Sequence, residues 1–285
     1  MPNPMRRVIL ASFIGTTIEW YDFFLYGTAA ALVFNKLFFP TLDPLSGTLS
    51  SYGTFAVGFV ARPIGGIVFG HFGDRVGRKA MLVWSLMIMG VATALVGVLP
   101  TYGSIGVWAP VLLVIVRFVQ GIGIGGEWGG AVLMAVEHSS EHRRGLNGSW
   151  PQMGVPAGLL LSTGVFALFS GKLSEAQFLS WGWRVPFLSS VVLIAIGMFI
   201  RLRLMETPAF ALIQEERTES KAPLLEVLRD HPRVVLVGMG MRFAQNVLFY
   251  IFTVFVLSYG EKTLGYSKPT MLLGVATGAL VGLFS

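Results

Sequence analysis

The sequence contains no cysteine and few charged residues. Its 285 residues include 21 basic and 15 acidic side chains, or 13% of the chain, against about 25% in a typical soluble domain. The lack of cysteine argues against a disulfide scaffold. The shortage of charge argues against a soluble enzyme or a disordered chain, because too few polar groups are present to cover a soluble surface. With 54% of residues hydrophobic, the composition predicts an integral membrane protein.

Long apolar segments predict a bundle of membrane helices. A helix needs about 20 mostly apolar residues to cross ~30 Å of hydrocarbon. Seven segments reach that length, and an eighth begins near Met271 and stops at Ser285, so the sequence reads as the N-terminal portion of a longer protein. The seven predicted spans lie near Val8–Phe34, Leu49–Phe69, Met81–Leu99, Val111–Val136, Leu146–Phe169, Val185–Leu204 and Val234–Tyr259. We therefore predict an all-α integral membrane protein.

The basic residues predict the orientation of the chain. Thirteen of the 21 lie in segments on the side of the N-terminus, five lie on the opposite side and three lie inside predicted spans. Because Lys and Arg are enriched in cytoplasmic loops, this asymmetry predicts a cytoplasmic N-terminus. The net charge of +6 is thereby explained by topology, and no basic patch is left to indicate nucleic-acid binding.

A long loop divides the predicted spans. Residues 1–204 are predicted to form a six-helix bundle, and residues 233–285 the seventh helix and part of an eighth. Residues 205–232, mixed in charge, favour a solvated cytoplasmic linker over a short surface helix. Transporters built from two six-helix halves have this layout, in which six spans are followed by a long loop and then by further spans.

Two acidic residues lie inside the first predicted span. Glu19 and Asp22 are three residues apart and share a helix face, which Tyr26 continues. Ionisable residues within a membrane are expensive and usually mark function. We expect at least one carboxylate to bind a proton or contact substrate; the alternative is two inert acids paired with arginines.

The second and fourth spans also carry ionisable residues. Arg117, Gln120 and Glu127 fall on one face of the fourth span. Arg117 and Glu127 are about 15 Å apart along the axis, so each needs a partner elsewhere. Arg62 lies deep in the second span and is expected either to pair with an intramembrane acid or to extend to the interface.

The fifth and seventh spans supply further polar candidates. Gln152 lies among the prolines and glycines of the fifth span, where it either contacts substrate or joins helices. The seventh span places Asn246 and Tyr250 on one face with Arg242 and Thr253. A polar stripe on a membrane helix indicates a cavity or a helix interface.

The segment between the second and third spans is predicted to be a loop at the cytoplasmic edge, with glycines that allow a tight turn. It resembles motif A of the major facilitator superfamily, and Arg117–Gly121 resembles motif B of that superfamily. The resemblance to motif A implies a conformational latch between the cytoplasmic ends of helices. The latch residues by this resemblance are Gly70, Gly73, Asp74, Arg75, Gly77, Arg78 and Lys79.

The whole chain is similar to the metabolite:proton symporter family of that superfamily. The segments that carry this resemblance are Glu19–Gly27, Ala61–Gly66, Gly125–Ala131, Trp181–Phe187 and Met205–Pro208. The resemblance implies the major facilitator fold, here as an N-terminal six-helix bundle plus the start of the second bundle. It further implies proton-coupled uptake of a shikimate-, dicarboxylate- or betaine-like solute across the inner membrane.

We accordingly expect a multi-pass, monomeric carrier in a bacterial cytoplasmic membrane, with a small molecule and protons as its partners. A proton-driven efflux antiporter would use the same acids and is the alternative; a non-transporting sensor is a third. We do not expect an enzyme, a cofactor or a metal. The one histidine pair at helical spacing, His138 and His142, lies in a charged segment typical of a solvated helix end.

Overall fold

The computed structural model describes residues 4–76, 78–125, 136, 139, 141–202 and 229–282. Almost all of these residues are helical. The long helices are α1 (Pro4–Leu32), α2 (Pro44–Val76), α3 (Arg78–Val98), α4 (Trp108–Gly125), α5 (Arg144–Lys172), α6 (Arg184–Leu202), α7 (Pro232–Lys262) and α8 (Lys268–Gly282). Each overlaps one predicted span, and residues 126–135 of the fourth predicted span lie outside the described residues. Most of the predicted loop at 205–232 lies outside the described residues, so the division into bundles stays a prediction.

Six helices of the described chain, α2 to α7, are long and apolar enough to cross a membrane. Helix α1 has 29 residues and carries Glu19 and Asp22 near its middle. It is the best-buried long helix: Phe23, Leu25 and Tyr26 have no exposed surface. The helix that carries the two acids is therefore the one that its neighbours surround.

Glycines let α1 and α5 pack with their backbones close together. A Cβ atom on Gly158 would lie 2.7 Å from the carbonyl oxygen of Thr17 and 2.7 Å from the amide nitrogen of Tyr21. A Cβ atom on Gly154 would lie 2.7 Å from that of Thr16. Small residues at such contacts are typical of membrane helix pairs. The seam fixes the position of α1 within the bundle.

A second glycine seam joins α2 to α4. A Cβ atom on Gly121 would lie 2.8 Å from that of Ala61, and one on Gly125 would lie 2.8 Å from the amide nitrogen of Gly66. This close approach brings the side chains of Arg62 and Arg117 to the same part of the bundle.

The predicted loop after the second span is wrong in its extent. Helix α2 continues to Val76 and α3 begins at Arg78, so Gly70 and Gly73 lie inside a helix rather than in a tight turn. A helix satisfies its own backbone hydrogen bonds wherever it runs, and polar residues at its end do not stop it. A Cβ atom on Gly73 would make an ordinary contact of 3.4 Å with Cγ of Met81.

Helices α5 and α7 contain features that bear on the site. Helix α5 runs unbroken through Pro151 and Pro156. Helix α7 contains a π-helical turn at Ile251–Phe255, which the sequence analysis did not predict. Such turns shift the face that a helix presents and are frequent at functional sites.

Short elements close the bundle on the side opposite the N-terminus. Helical turns at Phe34–Leu37, Tyr102–Ile105 and Glu175–Gln177 lie in the connections there. Asp43 caps α2: its Oδ1 atom accepts hydrogen bonds from the backbone N–H groups of Leu45 and Ser46, both at 3.1 Å. These hydrogen bonds satisfy two backbone donors that the first turn of a helix leaves unpaired.

Candidate functional site

Helices α1, α2, α4 and α7 bring two arginines into one aromatic cluster. We define the aromatic cluster as Phe23, Tyr26, Phe55, Phe59 and Tyr250, whose rings contact one another at centroid distances of 4.9–6.2 Å. Helices α1, α2 and α4 each contribute a ring or a guanidinium group, and α7 contributes Tyr250. The cluster is therefore the place where α1, α2 and α4 meet α7.

Arg117 is completely buried in this cluster. Its guanidinium carbon lies 4.2 Å from the ring centre of Tyr26, 4.7 Å from that of Phe23 and 4.8 Å from that of Phe55. Cation–π attraction of this kind is strongest where the cation is desolvated. The three rings thus hold the charge in place without neutralising it.

Gln120 fixes one end of the Arg117 side chain. The Nη1 atom of Arg117 donates a hydrogen bond to Oε1 of Gln120, whose Nε2 atom donates to the hydroxyl of Thr93 at 2.6 Å. The Nε and Nη2 atoms of Arg117 have no hydrogen-bond partner in the described chain. Buried polar groups are normally satisfied, so these two donors are available to a ligand.

Arg62 lies beside the same rings. Its guanidinium carbon is 4.3 Å from the ring centre of Phe23 and 4.9 Å from that of Phe59. Its Nε and Nη2 atoms are buried and also lack partners among the described residues. Tyr250 lies 5.0 Å from the Phe59 ring and within electrostatic range of Arg62 and Arg117. Two cations with unpaired donors in an apolar setting suit the binding of a carboxylate.

The two carboxylates of α1 have different surroundings. Glu19 is 2% exposed, and the positive charges of Arg62 and Arg201 act on it. Asp22 is fully buried and faces the hydroxyls of Ser190 and Thr93, although neither of its oxygens makes a hydrogen bond within the described chain. The two acids, one helical turn apart, therefore differ in their access to a compensating charge.

Arg201 is a buried residue of this region that the sequence analysis missed, because it counted Arg201 among the basic residues of the N-terminal side. Arg201 is 4% exposed and its Nη1 atom donates to the backbone carbonyl of Leu82 on α3. Its guanidinium group packs over Gly15, where a Cβ atom would lie 2.9 Å from Nη2. An arginine near the end of an apolar span looks the same in sequence whether it faces water or the interior.

Several other predicted site residues lie away from the cluster. Gln152 is exposed on α5, and Asn246 is half-buried on α7; none of the ring, guanidinium or carboxylate contacts of the described chain includes either of them. Arg242 is exposed and donates to Oε1 of Gln245 at 2.9 Å. Glu127 lies outside the described residues.

The segment that resembles motif A is described only in part. The Nζ atom of Lys79 donates to the backbone carbonyl of Leu202 at 2.9 Å, which ties the start of α3 to the end of α6. Gly77 and the side chains of Asp74, Arg75 and Arg78 lie outside the described part of the chain. The latch role of this segment stays a prediction.

An apolar cavity of about 390 Å³ lies between α5, α7 and α8. Phe249, Phe252 and Met271 are among the residues that line it. The Phe249 ring lies 5.5 Å from that of Tyr250, so the cavity adjoins the aromatic cluster on its α7 side.

Comparison with known sequences identifies relatives along the chain. The sequence model of a family described as "Sugar (and other) transporter" matches residues 8–235. The chain is 50% identical over 257 residues to the inner membrane metabolite transport protein YhjE of Escherichia coli K12, covering 90% of this chain and 58% of that protein. It is 45% identical over 278 residues to the shikimate transporter of the same strain, covering 96% and 64%. The chain spans less than two thirds of the length of these relatives.

Comparison with solved structures agrees with the predicted fold. A crystal structure of a D-xylose–proton symporter matches with a TM-score of 0.77 at 20% sequence identity, over 99% of this chain and 67% of that one. This likeness, together with the family match, confirms the predicted major facilitator fold.

Proposed function

The chain belongs to the sugar (and other) transporter family of the major facilitator superfamily, a family of transporters and not of enzymes, and we propose that it carries out proton-coupled symport. In this proposal a small organic acid or zwitterion crosses the inner membrane with protons by alternating access. The N-terminus faces the cytoplasm, as the distribution of basic residues predicts, and the carrier works as a monomer. The observation that carries the proposal is that Arg62 and Arg117, in the aromatic cluster, each keep a buried Nε and Nη2 atom without a hydrogen-bond partner among the described residues.

The arginines support a substrate that carries a carboxylate. A guanidinium group binds a carboxylate through two parallel N–H donors, and Arg62 and Arg117 each have two buried nitrogens without a partner among the residues that the structure describes. The surrounding rings suit an apolar or cationic body attached to that carboxylate. The transport of shikimate by one relative is consistent with this chemistry, because shikimate is a carboxylic acid.

The surroundings of Asp22 support its role as the proton carrier. A buried carboxylate is costly as an anion unless a cation or hydrogen bonds compensate it. The charges of Arg62 and Arg201 act on Glu19, whereas the groups that act on Asp22 within the described chain are the hydroxyls of Ser190 and Thr93. In our proposal Asp22 binds a proton while it is enclosed and releases it when the site opens to the cytoplasm. Glu19 instead orients Arg62, whose charge acts on it.

The test is uptake into proteoliposomes that contain the purified chain, with shikimate and glycine betaine as probes. We expect an inwardly directed proton gradient to drive uptake, and a protonophore to reduce it at least tenfold. We expect Asp22→Asn to abolish gradient-driven uptake but to retain exchange of labelled for unlabelled substrate, which needs no net proton movement. Glu19→Gln is the matched control and should weaken both processes together.

Uptake that ignores both the gradient and the protonophore would overturn proton coupling. Gradient-driven loss of preloaded substrate, in place of uptake, would overturn symport in favour of efflux. Uptake that survives Arg117→Gln with an unchanged KM would overturn the assignment of the carboxylate site.

A further inference from the structure

Four charged side chains form a continuous ion-pair chain on the side opposite the N-terminus. The Nζ atom of Lys36 lies 2.6 Å from Oε1 of Glu175, and the Nζ atom of Lys268 lies 3.7 Å from the same oxygen. Lys268 also lies 3.5 Å from Oε1 of Glu261. The ion-pair chain therefore runs Lys36–Glu175–Lys268–Glu261.

The ion-pair chain links three different connections of the fold. Lys36 follows α1, Glu175 lies between α5 and α6, and Glu261 and Lys268 flank the turn between α7 and α8. Two members thus belong to the first six helices and two belong to the helices after the long loop. The ion-pair chain joins the two halves at one end of the bundle.

A second contact joins the same two halves. The Nζ atom of Lys262, at the end of α7, donates to the hydroxyl of Thr48 and lies 3.5 Å from the carbonyl oxygen of Pro44, both on the first turns of α2. The connections after α1 and after α7 are therefore held together at two places.

We infer that the ion-pair chain is an outer gate, which holds α1 and α5 against α7 and α8 and must separate before the central site can open outward. This inference rests on the proposed alternating access and on the proposed orientation, which makes this end the outer end. It gives a specific role to side chains that the sequence analysis counted only as part of the charge asymmetry.

The gate residues remain within reach of water. The side chain of Glu175 is 63% exposed and that of Lys36 is 41% exposed, whereas Lys268, which is shared by both carboxylates, is 14% exposed. A polar cavity of about 270 Å³, lined in part by Glu175, Glu261 and Lys268, lies beside them. Exposed ion pairs are weak one by one. A contact that must break in every transport cycle has to be weak, and three pairs sharing two residues can break together.

The electrostatics of Glu175 agree with this role. The hydrogen bond from Lys36, together with the charges of Lys36 and Lys268, lowers the pKa of Glu175 below its ordinary value. The carboxylate is therefore ionised throughout the neutral range, and the gate is charged under the conditions in which the carrier works.

The chain has no cysteine, so two spin labels can be attached at introduced cysteines without background. Leu45 at the start of α2 and Leu273 on α8 are 70% and 68% exposed and lie on the two halves near the gate. We would introduce Leu45→Cys and Leu273→Cys and measure the distance between the labels by double electron–electron resonance in lipid nanodiscs. The starting protein is expected to give one short, narrow distance distribution.

Three variants test the gate in this labelled background. Lys268→Glu places a third carboxylate beside Glu175 and Glu261, and should raise the population with longer distances about fivefold or more. The inverted variant Lys36→Glu/Glu175→Lys/Glu261→Lys/Lys268→Glu re-forms every pair with opposite signs, and should restore the short distance. Lys172→Glu makes the same charge change at an exposed lysine on the same side, one without an ion pair in the described chain, and should leave the distribution unchanged.

An unchanged distribution in Lys268→Glu would overturn the gate. A longer distance in Lys268→Glu that the inverted variant does not restore would also overturn it, because the change would then reflect local damage and not charge pairing. The uptake assay separates this result from the proposed function. Distances that respond as expected without gradient-driven uptake would refute symport and leave the gate intact, whereas normal uptake with unresponsive distances would refute the gate alone.

Discussion

The guanidinium carbon of Arg117 lies 4.2 Å from the ring centre of Tyr26, and both side chains are completely buried. Arg117 comes from α4 and Tyr26 from α1, so a cation of one helix is held by the ring face of another. The ring stabilises the charge but accepts no conventional hydrogen bond, and it leaves Nε and Nη2 of Arg117 free of partners within the described chain. The arginine is positioned and yet chemically unsatisfied, which is what an anion site requires.

Gly58 leaves the space that Arg117 occupies, so enlarging it should displace the cation. A Cβ atom on Gly58 would lie 2.9 Å from Cζ of Arg117. We expect Gly58→Ala to reduce uptake at least about tenfold at low substrate concentration, because small misplacements of a binding group have large effects. Gly53→Ala, on the same helix with nothing within 4 Å, should leave uptake unchanged. Equal uptake by both variants would show that the position of Arg117 does not matter.

Gly158 should be essential for the seam between α1 and α5. A Cβ atom there would lie 2.7 Å from three atoms of α1, so Gly158→Ala should lower the free energy of unfolding by about 1–3 kcal/mol. Gly164→Ala, on the same helix in open space, should be neutral or stabilising by up to about 1 kcal/mol, because alanine favours helix. Unfolding in mixed micelles of increasing denaturing detergent, followed by circular dichroism, measures both. If the seam were unimportant, the two variants would unfold at the same concentration of denaturing detergent.

Glu19 and Arg201 should be energetically coupled. Arg201→Gln removes a buried charge near Glu19 and the donor to the Leu82 carbonyl, and should destabilise the protein by roughly 1–3 kcal/mol. Adding Glu19→Gln should recover part of this loss, with a coupling of about 0.5–3 kcal/mol in a double-mutant cycle.

Asp22→Asn in the same Arg201→Gln background is the matched control for that cycle. The groups that act on Asp22 among the described residues are the hydroxyls of Ser190 and Thr93, so its effect should add to that of Arg201→Gln. If the effects of Glu19→Gln and Arg201→Gln on stability were also additive, the proposed coupling between Glu19 and Arg201 would be contradicted.

The gate should weaken only in acid. Lys36 and Lys268 lower the pKa of Glu175 below its ordinary value of 4.5, so the contribution of this carboxylate is complete above 4.5 and is lost as pH falls through the lowered pKa. Both lysines stay charged in this range. When Glu175 is protonated, two of the three ion pairs are lost and only the pair between Glu261 and Lys268 remains.

The distance between labels at positions 45 and 273 should therefore stay short from pH 7 to 4.5 and lengthen only at lower pH. In Glu175→Gln this acid transition should disappear, because the group that titrates has been removed. A transition above pH 4.5, or one that persists in Glu175→Gln, would assign the effect to another residue.

The sequence predicts the helices well because apolar length is a local property. Each of the seven predicted full spans overlaps a long helix, with residues 126–135 of the fourth outside the described residues, and the shared face of Glu19, Asp22 and Tyr26 follows from helical spacing alone. The gate was not predictable in this way, since Glu175 and Lys268 are far apart in sequence and carry no motif. Arg201 was missed because burial depends on the neighbouring helices. The segment after α2 was wrongly predicted to be a loop, because charge and glycine mark the membrane edge and not the helix end.

The burial of α1 has a consequence for how the protein is made. Helix α1 leaves the ribosome before α5, and alone in lipid it would expose Glu19 and Asp22 to hydrocarbon, which is unfavourable for a charged side chain. The glycine seam that covers it belongs to α5, which begins only at Arg144. During synthesis α1 must therefore remain beside the insertion machinery or at the membrane–water interface until α5 has been synthesised and can pack against it. The insertion of α1 is thus completed only after the chain as far as α5 has been synthesised.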